Sequence, residues 1–121
     1  MKEMEAILAA LSTLRAPLQQ GEYDLHALVM DCLRARGIAF EHERRLGPRC
    51  RIDLLAGSVG IEIKKGRPEI GRLREQLRRY AASEEISGLI VVSERNAALP
   101  QTIGGKPLRL VCLNRLWGIA L

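Results

Sequence analysis

Residues 88–93, Gly-Leu-Ile-Val-Val-Ser, present no polar face. A strand alternates its side chains between two faces, so a run that is apolar at every position must be covered on both. Such strands sit inside sheets with parallel neighbours. A parallel neighbour needs a long crossover, usually helical, so helices must pack against both sides of one sheet. All of this has to fit in 121 residues, enough for one core and one domain over 1–121, with no second catalytic domain. A composition of 47% hydrophobic and 27% charged residues suits such a folded chain.

The periodicity of the remaining chain supplies the other elements. Met4, Ile7, Leu8, Leu11 and Leu14 recur at helical spacing and predict an N-terminal accessory helix within residues 1–17, ended by Pro17. Gly21 opens a second helix with an apolar face of Leu25, Leu28, Val29, Cys32 and Leu33, and Gly37 closes it. From Ile38 to Lys64 the pattern becomes extended. Strands are expected over 38–45, 50–55 and 59–64, joined as antiparallel hairpins at Gly47-Pro48 and Gly57-Ser58. After Gly66-Arg67-Pro68, the residues Ile70, Leu73, Leu77, Tyr80 and Ala81 mark a helix with a basic outer face. The strand at 88–93 follows, then a loop through Leu99-Pro100 and Gly104-Gly105, and a strand over 108–113. Residues 114–121 read as a short helix or a tail, with Trp117 on the core. The expected architecture is α/β, order α-α-β-β-β-α-β-β, a mixed central sheet flanked by helices.

Several classes of function drop out. No apolar run reaches the roughly 18 residues of a membrane helix, and Glu3 and Glu5 stand where a signal peptide needs a basic region, so a cytoplasmic protein without a membrane partner is expected. Cys32, Cys50 and Cys112 are odd in number and widely spaced, which suits small buried hydrophobes better than a disulfide or zinc framework. There is no phosphate loop, nucleophile elbow or dinucleotide fingerprint. A net charge of +5 points to a polyanionic partner, while 3% aromatic residues leave no stacking platform for single strands.

The residues that carry chemistry are Arg51-Ile52-Asp53-Leu54-Leu55 and, after the turn, Ile61-Glu62-Ile63-Lys64-Lys65. Alternation puts Glu62 and Lys64 on one side of their strand and Ile61 and Ile63 on the other. Asp53 lies on the preceding strand within hairpin reach. Two carboxylates and an ammonium thus converge, an arrangement suited to a hard divalent cation, Mg²⁺ or Mn²⁺, and a phosphodiester. Glu41 and Glu43 share a face of the first strand. If it turns toward Asp53, Glu43 becomes a further ligand or supporting acid; the alternative is that both pair with Arg44, Arg45, Arg49 or Arg51.

Asp53 followed by Glu62-Ile63-Lys64 resembles the signature of the PD-(D/E)xK nuclease superfamily: an acid on one strand, Glu-x-Lys on the next. Ile52 stands where that family has its proline. The likeness extends over most of the chain in the order of its elements, and is nearest to the small stand-alone, restriction-endonuclease-like proteins and the resolvase branch. It implies a metal-dependent deoxyribonuclease. Asp53 and Glu62 would bind metal with the Ile63 carbonyl, and Lys64 would face the attacked phosphate. By the same resemblance an acid on the preceding helix falls on Glu22, with Asp24 on the opposite side as the weaker choice. A Gln and an aromatic on the following helix fall on Gln76 and Tyr80, which would orient Lys64 or the phosphate. His26, one turn after Glu22, is a further candidate for phosphate binding or proton transfer, against a structural role.

Arg67, Arg72, Arg74, Arg78, Arg79 and Tyr80 would line the nucleic-acid path, DNA above all, while Lys65, pointing the other way from Lys64, is either structural or on that path. The alternative for the arginines is a solvated helix face, with Glu75 and Arg79 at salt-bridge spacing. So small a core leaves little surface for a duplex, which implies a homodimer or a larger partner. The competing function is a nucleic-acid-binding or assembly module on the same fold without independent cleavage.

Overall fold

The structure, a computed structural model, describes residues 1–16 and 23–118. Its elements are α1 (Lys2–Leu11), α2 (Leu25–Ala35), β1 (Glu41–Gly47), β2 (Cys50–Ala56), β3 (Val59–Lys64), α3 (Ile70–Ala81), β4 (Gly88–Ser93), β5 (Thr102–Ile103), β6 (Lys106–Cys112) and α4 (Leu113–Leu116). The six strands form one mixed sheet in the order β1-β2-β3-β4-β6-β5. β1, β2 and β3 form an antiparallel meander, and β4 pairs parallel with both β3 and β6, as its uninterrupted apolar run requires. Among the described residues no helix is long and apolar enough to cross a membrane.

One face of the sheet packs on α1 and α2 through Leu54, Ala56, Val59, Ile61, Ile63, Ile90 and Val92. The other packs on α3 through Ile52, Leu55, Leu89, Val91 and Leu108, met by Leu73, Leu77 and Tyr80. Each fully buried Val, Leu or Ile among them contributes roughly 1.5–3 kcal/mol, so the two layers fix where the strands sit. α1 is more than an accessory. Met4, Ile7, Ala10 and Leu11 are buried in the core, and the Glu3 carboxylate accepts from the Ser58 amide at 2.8 Å and its hydroxyl at 2.6 Å, clamping the β2–β3 turn.

Besides shifts of a residue or two at strand ends, with the last strand running Lys106–Cys112 and Leu113 opening α4, three local differences from the sequence reading have physical causes. β1 starts at Glu41 instead of 38 because Gly37, at φ +70°, lets the Ile38 amide return to the Leu33 carbonyl at 2.9 Å; residues 38–40 close the helix instead of extending the strand. α2 starts at Leu25, with Asp24 accepting from the Ala27 amide as its N-cap. The expected opening at Gly21 and stop at Pro17 lie outside the described residues. The loop before the last strand contains β5, a two-residue strand too short to show a period, joined to β6 by Gly104 (φ +56°) and Gly105 (φ +77°), a pair suited to a tight hairpin. The element order is therefore α-α-β-β-β-α-β-β-β-α. Of the cysteines only Cys112 is buried; Cys32 and Cys50 are half-buried, and all three are free.

Candidate active site

β2 and β3 begin as a regular hairpin, with Ala56 opposite Val59, Leu55 opposite Gly60 and Leu54 opposite Ile61. The paired register ends there. Alternation along β2 breaks at the same place, since Ile52 and Leu55 face α3 while Leu54 and Ala56 face the other helices. At the resulting fork, side-chain carboxylates take the place of ladder carbonyls. Asp53 Oδ2 accepts from the Ile63 amide at 2.8 Å, and Glu62 Oε1 from the Asp53 amide at 3.5 Å.

Glu62 is 3% exposed and points to the α3 side. The Tyr80 hydroxyl lies 3.1 Å from Glu62 Oε1 and 3.0 Å from the Arg51 carbonyl, and its single proton serves one of them at a time. Lys64 Nζ lies 3.2 Å from Glu62 Oε2. Burial and, next, the negative charge of Asp53 push the Glu62 carboxyl up to about 7. The Lys64 ammonium and the Tyr80 hydrogen bond offset part of that rise. Tyr80 is raised in turn, first by its own burial and then by Glu62.

Beyond Lys64 a cleft of 240 Å³ opens between the end of β3 and the first turns of α3, lined by Lys64, Pro68, Glu69, Arg72, Leu73 and Gln76. Glu69 caps α3, accepting from the Gly71 and Arg72 amides at 2.9 Å each, so its negative charge is partly used by the helix. The cleft therefore presents an ammonium, a guanidinium and a carboxamide beside the carboxylate pair.

Of the residues predicted for the site, Asp53, Glu62, Ile63, Lys64, Gln76 and Tyr80 come together. Tyr80 is buried, so it serves as a support for Glu62 and not as a surface contact for nucleic acid. Glu22 lies outside the described residues, and Asp24 is committed to its cap. Among the described residues no third His, Cys, Asp or Glu joins the pair within ligating range, which leaves out Glu43 and His26. Glu43 is exposed at φ +54°, an uncommon backbone for a non-glycine residue, which breaks the simple alternation that put it with Glu41. His26 instead faces His42, their rings 6.3 Å apart. Glu41 pairs with Arg44 at 3.5 Å, within β1 itself and not across to a neighbouring strand.

Lys65 donates to the Tyr23 carbonyl at 2.8 Å and stands over that ring, a structural contact. Arg67, Arg72, Arg74, Arg78 and Arg79 are all exposed, and among the described residues none forms an ion pair, including the expected Glu75–Arg79 bridge.

Sequence reasoning missed Glu94. Just past β4, its carboxylate accepts from the Gly66 amide and from the Tyr23 hydroxyl, and its own amide donates to the Lys64 carbonyl at 3.3 Å. The strand end carrying Lys64 is thereby tied to β4 and to the segment before α2. A signal was present: Glu94 is the first charged residue after an apolar strand, at the carboxyl end of parallel strands where α/β sheets place their sites. Compared with protein-family models, curated proteins and solved structures, the chain matches none, so its own residues are what speak for its function.

Proposed function

We propose that the chain is a metal-dependent nuclease of the PD-(D/E)xK type, built on a restriction-endonuclease-like sheet and hydrolysing phosphodiester bonds in DNA. The observation that carries this reading is the buried Glu62 carboxylate beside Asp53, with Lys64 leading into a basic cleft. The backbone amides at the fork take up one oxygen of each carboxylate, and the proposal assigns the remaining oxygens to a cation. Burying a carboxylate costs several kcal/mol unless cations or hydrogen bonds compensate it.

The donor set fits Mg²⁺ or Mn²⁺. Hard divalent cations take carboxylate oxygens, and Mg²⁺ keeps several of its waters, needing only one or two carboxylates from the protein. Asp53 and Glu62 would hold the ion, with the Ile63 carbonyl next in line. A bound ion would polarise the phosphate and acidify a water. The chain's own groups do the rest. Lys64, reaching the cleft, orients the attacking water and offsets charge building on the phosphate, while Gln76 helps place that phosphate. Tyr80 holds Glu62 in position, and Arg72 grips the backbone without reading bases.

The test is incubation of the protein with linear, nicked, branched and single-stranded DNA in Mg²⁺, Mn²⁺ or EDTA, beside Asp53→Ala and Lys64→Ala. Cleavage that needs the metal and vanishes in both variants is expected. Metal-dependent cleavage that survives Asp53→Ala would reject the site.

A further inference from the structure

We propose that the groove between α3 and the β5–β6 turn is a second binding point for a phosphodiester backbone, separate from the site cleft. The inference deepens the nuclease reading by giving the substrate a path, and rests on that reading for its biological meaning only. The groove measures 330 Å³ and is lined by Arg74, Arg78, Pro100, Thr102, Ile103 and Gly104. No carboxylate is among them. Arg74 and Arg78 stand one helical turn apart, where like charges destabilise a helix, and among the described residues neither has an ion-pair partner. An anion in the groove would relieve that repulsion. Guanidinium groups carry only donors, in a fork matched to phosphate oxygens, and the Thr102 hydroxyl adds another.

The facing wall is fixed. The Leu108 amide and Arg109 Nη1 both donate to the Gln101 carbonyl, at 2.9 and 3.0 Å, which ties the approach to β5 onto β6. The turn lies so close on α3 that a Cβ at Gly104 would stand 3.1 Å from that of Ala81. The turn forms one wall of the groove, with Ile103 buried at its base, and the exposed Arg74 and Arg78 form the other.

The helical wheel sets the groove and the site cleft on opposite flanks of α3, with Glu75 and Arg79 on the outer face between them. Leu73, Leu77 and Tyr80 turn to the core; Arg72 and Gln76 flank them on the side of the site cleft, and Arg74 and Arg78 on the other side. A helix with its side chains is about 10 Å across. Along a duplex axis that distance spans about three base-pair steps of roughly 3.4 Å each. A strand crossing α3 can engage both recesses, whereas a lone phosphate fills one.

The experiment measures binding of a fluorescently labelled short duplex, and of its single strand, by anisotropy in EDTA across a salt series. For the wild-type protein and Arg74→Gln/Arg78→Gln, the slope of log K against log[salt] is compared; loss of two phosphate contacts lowers it by about 2 for a duplex. Lys2→Gln/Arg36→Gln removes the same two charges from the α1 and α2 side and is expected to leave the slope unchanged. An equal drop in both double variants would mean a net-charge effect and overturn the proposal, as would no drop in either. Tight binding of inorganic pyrophosphate without binding of either oligonucleotide would overturn the polymer assignment. Failure of the nuclease reading is recognised separately, as a slope that falls as expected in a protein that cuts no DNA with any metal.

Discussion

The substitution Glu62→Gln gains stability relative to the wild type as pH rises, while removing the chain's proposed function. Glu62 is buried with Asp53 as a neighbour, and its carboxyl is pushed from 4.5 up to about 7. At about 1.4 kcal/mol per tenfold change, that displacement amounts to about 3 kcal/mol between the two protonation states. A folded value above the unfolded one gives a contribution that is fully present below about pH 4.5 and is lost as pH rises through about 7. Glutamine cannot ionise, so it retains what glutamate loses, and its carbonyl still accepts from Tyr80. Any cost of setting an amide beside the Lys64 ammonium acts alike at both ends of the series. Urea unfolding in EDTA at about pH 4 and about pH 8 measures the effect as a difference of differences. The stability of Glu62→Gln relative to wild type is expected to rise by about 3 kcal/mol between them. A difference that stays constant within about 1 kcal/mol would refute the reasoning, because Glu62 would then be neither desolvated nor opposed by Asp53.

Tyr80→Phe removes the hydroxyl shared by Glu62 and the Arg51 carbonyl. It should cost about 1–3 kcal/mol in urea unfolding and move the pH midpoint of Glu62 upward, since that hydrogen bond lowers it. Gly60→Ala would place a Cβ 2.3 Å from Ile52 Cδ1 and 2.9 Å from Leu89 Cδ2, an overpacking worth about 1–3 kcal/mol that a denaturant titration would show. Glu94→Ala frees the Gly66 amide and the Tyr23 hydroxyl at a cost of about 1.5–3 kcal/mol, typical of hydrogen bonds to a charged group. Its signature is faster hydrogen exchange at Gly66.

What was legible in the sequence was whatever repeats. The period-2 stretch at Val59–Lys64, the apolar run at Gly88–Ser93 and the helical stripe from Ile70 to Ala81 each form the element expected, because each buries a face that only one conformation can align. The proximity of Asp53 to Glu62 was legible because a hairpin brings the two strands together, although the two residues meet through side-chain-to-amide bonds and not through the ladder. The ladder's end at Leu54 and Ile61 was not, since a fork arises where two layers compete for the faces of β2 and leaves no local pattern. Tyr80 illustrates the same limit. Its place in the apolar stripe with Leu73 and Leu77 put it on the sheet-facing side of the helix, at odds with a nucleic-acid contact, but only the packing of α3 on the sheet showed that its hydroxyl meets Glu62. Glu43 escaped because alternation assumes extended backbone, which φ +54° does not supply. β5 escaped because two residues cannot establish a period.

The central claim is that the fork between β2 and β3 holds a divalent cation. Calorimetric titration of Mn²⁺ into the wild-type chain and into Asp53→Ala, near pH 8 where Glu62 is ionised, tests it most directly. Saturable binding by the wild type and its loss in Asp53→Ala are predicted. Equal binding by both proteins, or none by the wild type, would contradict the account.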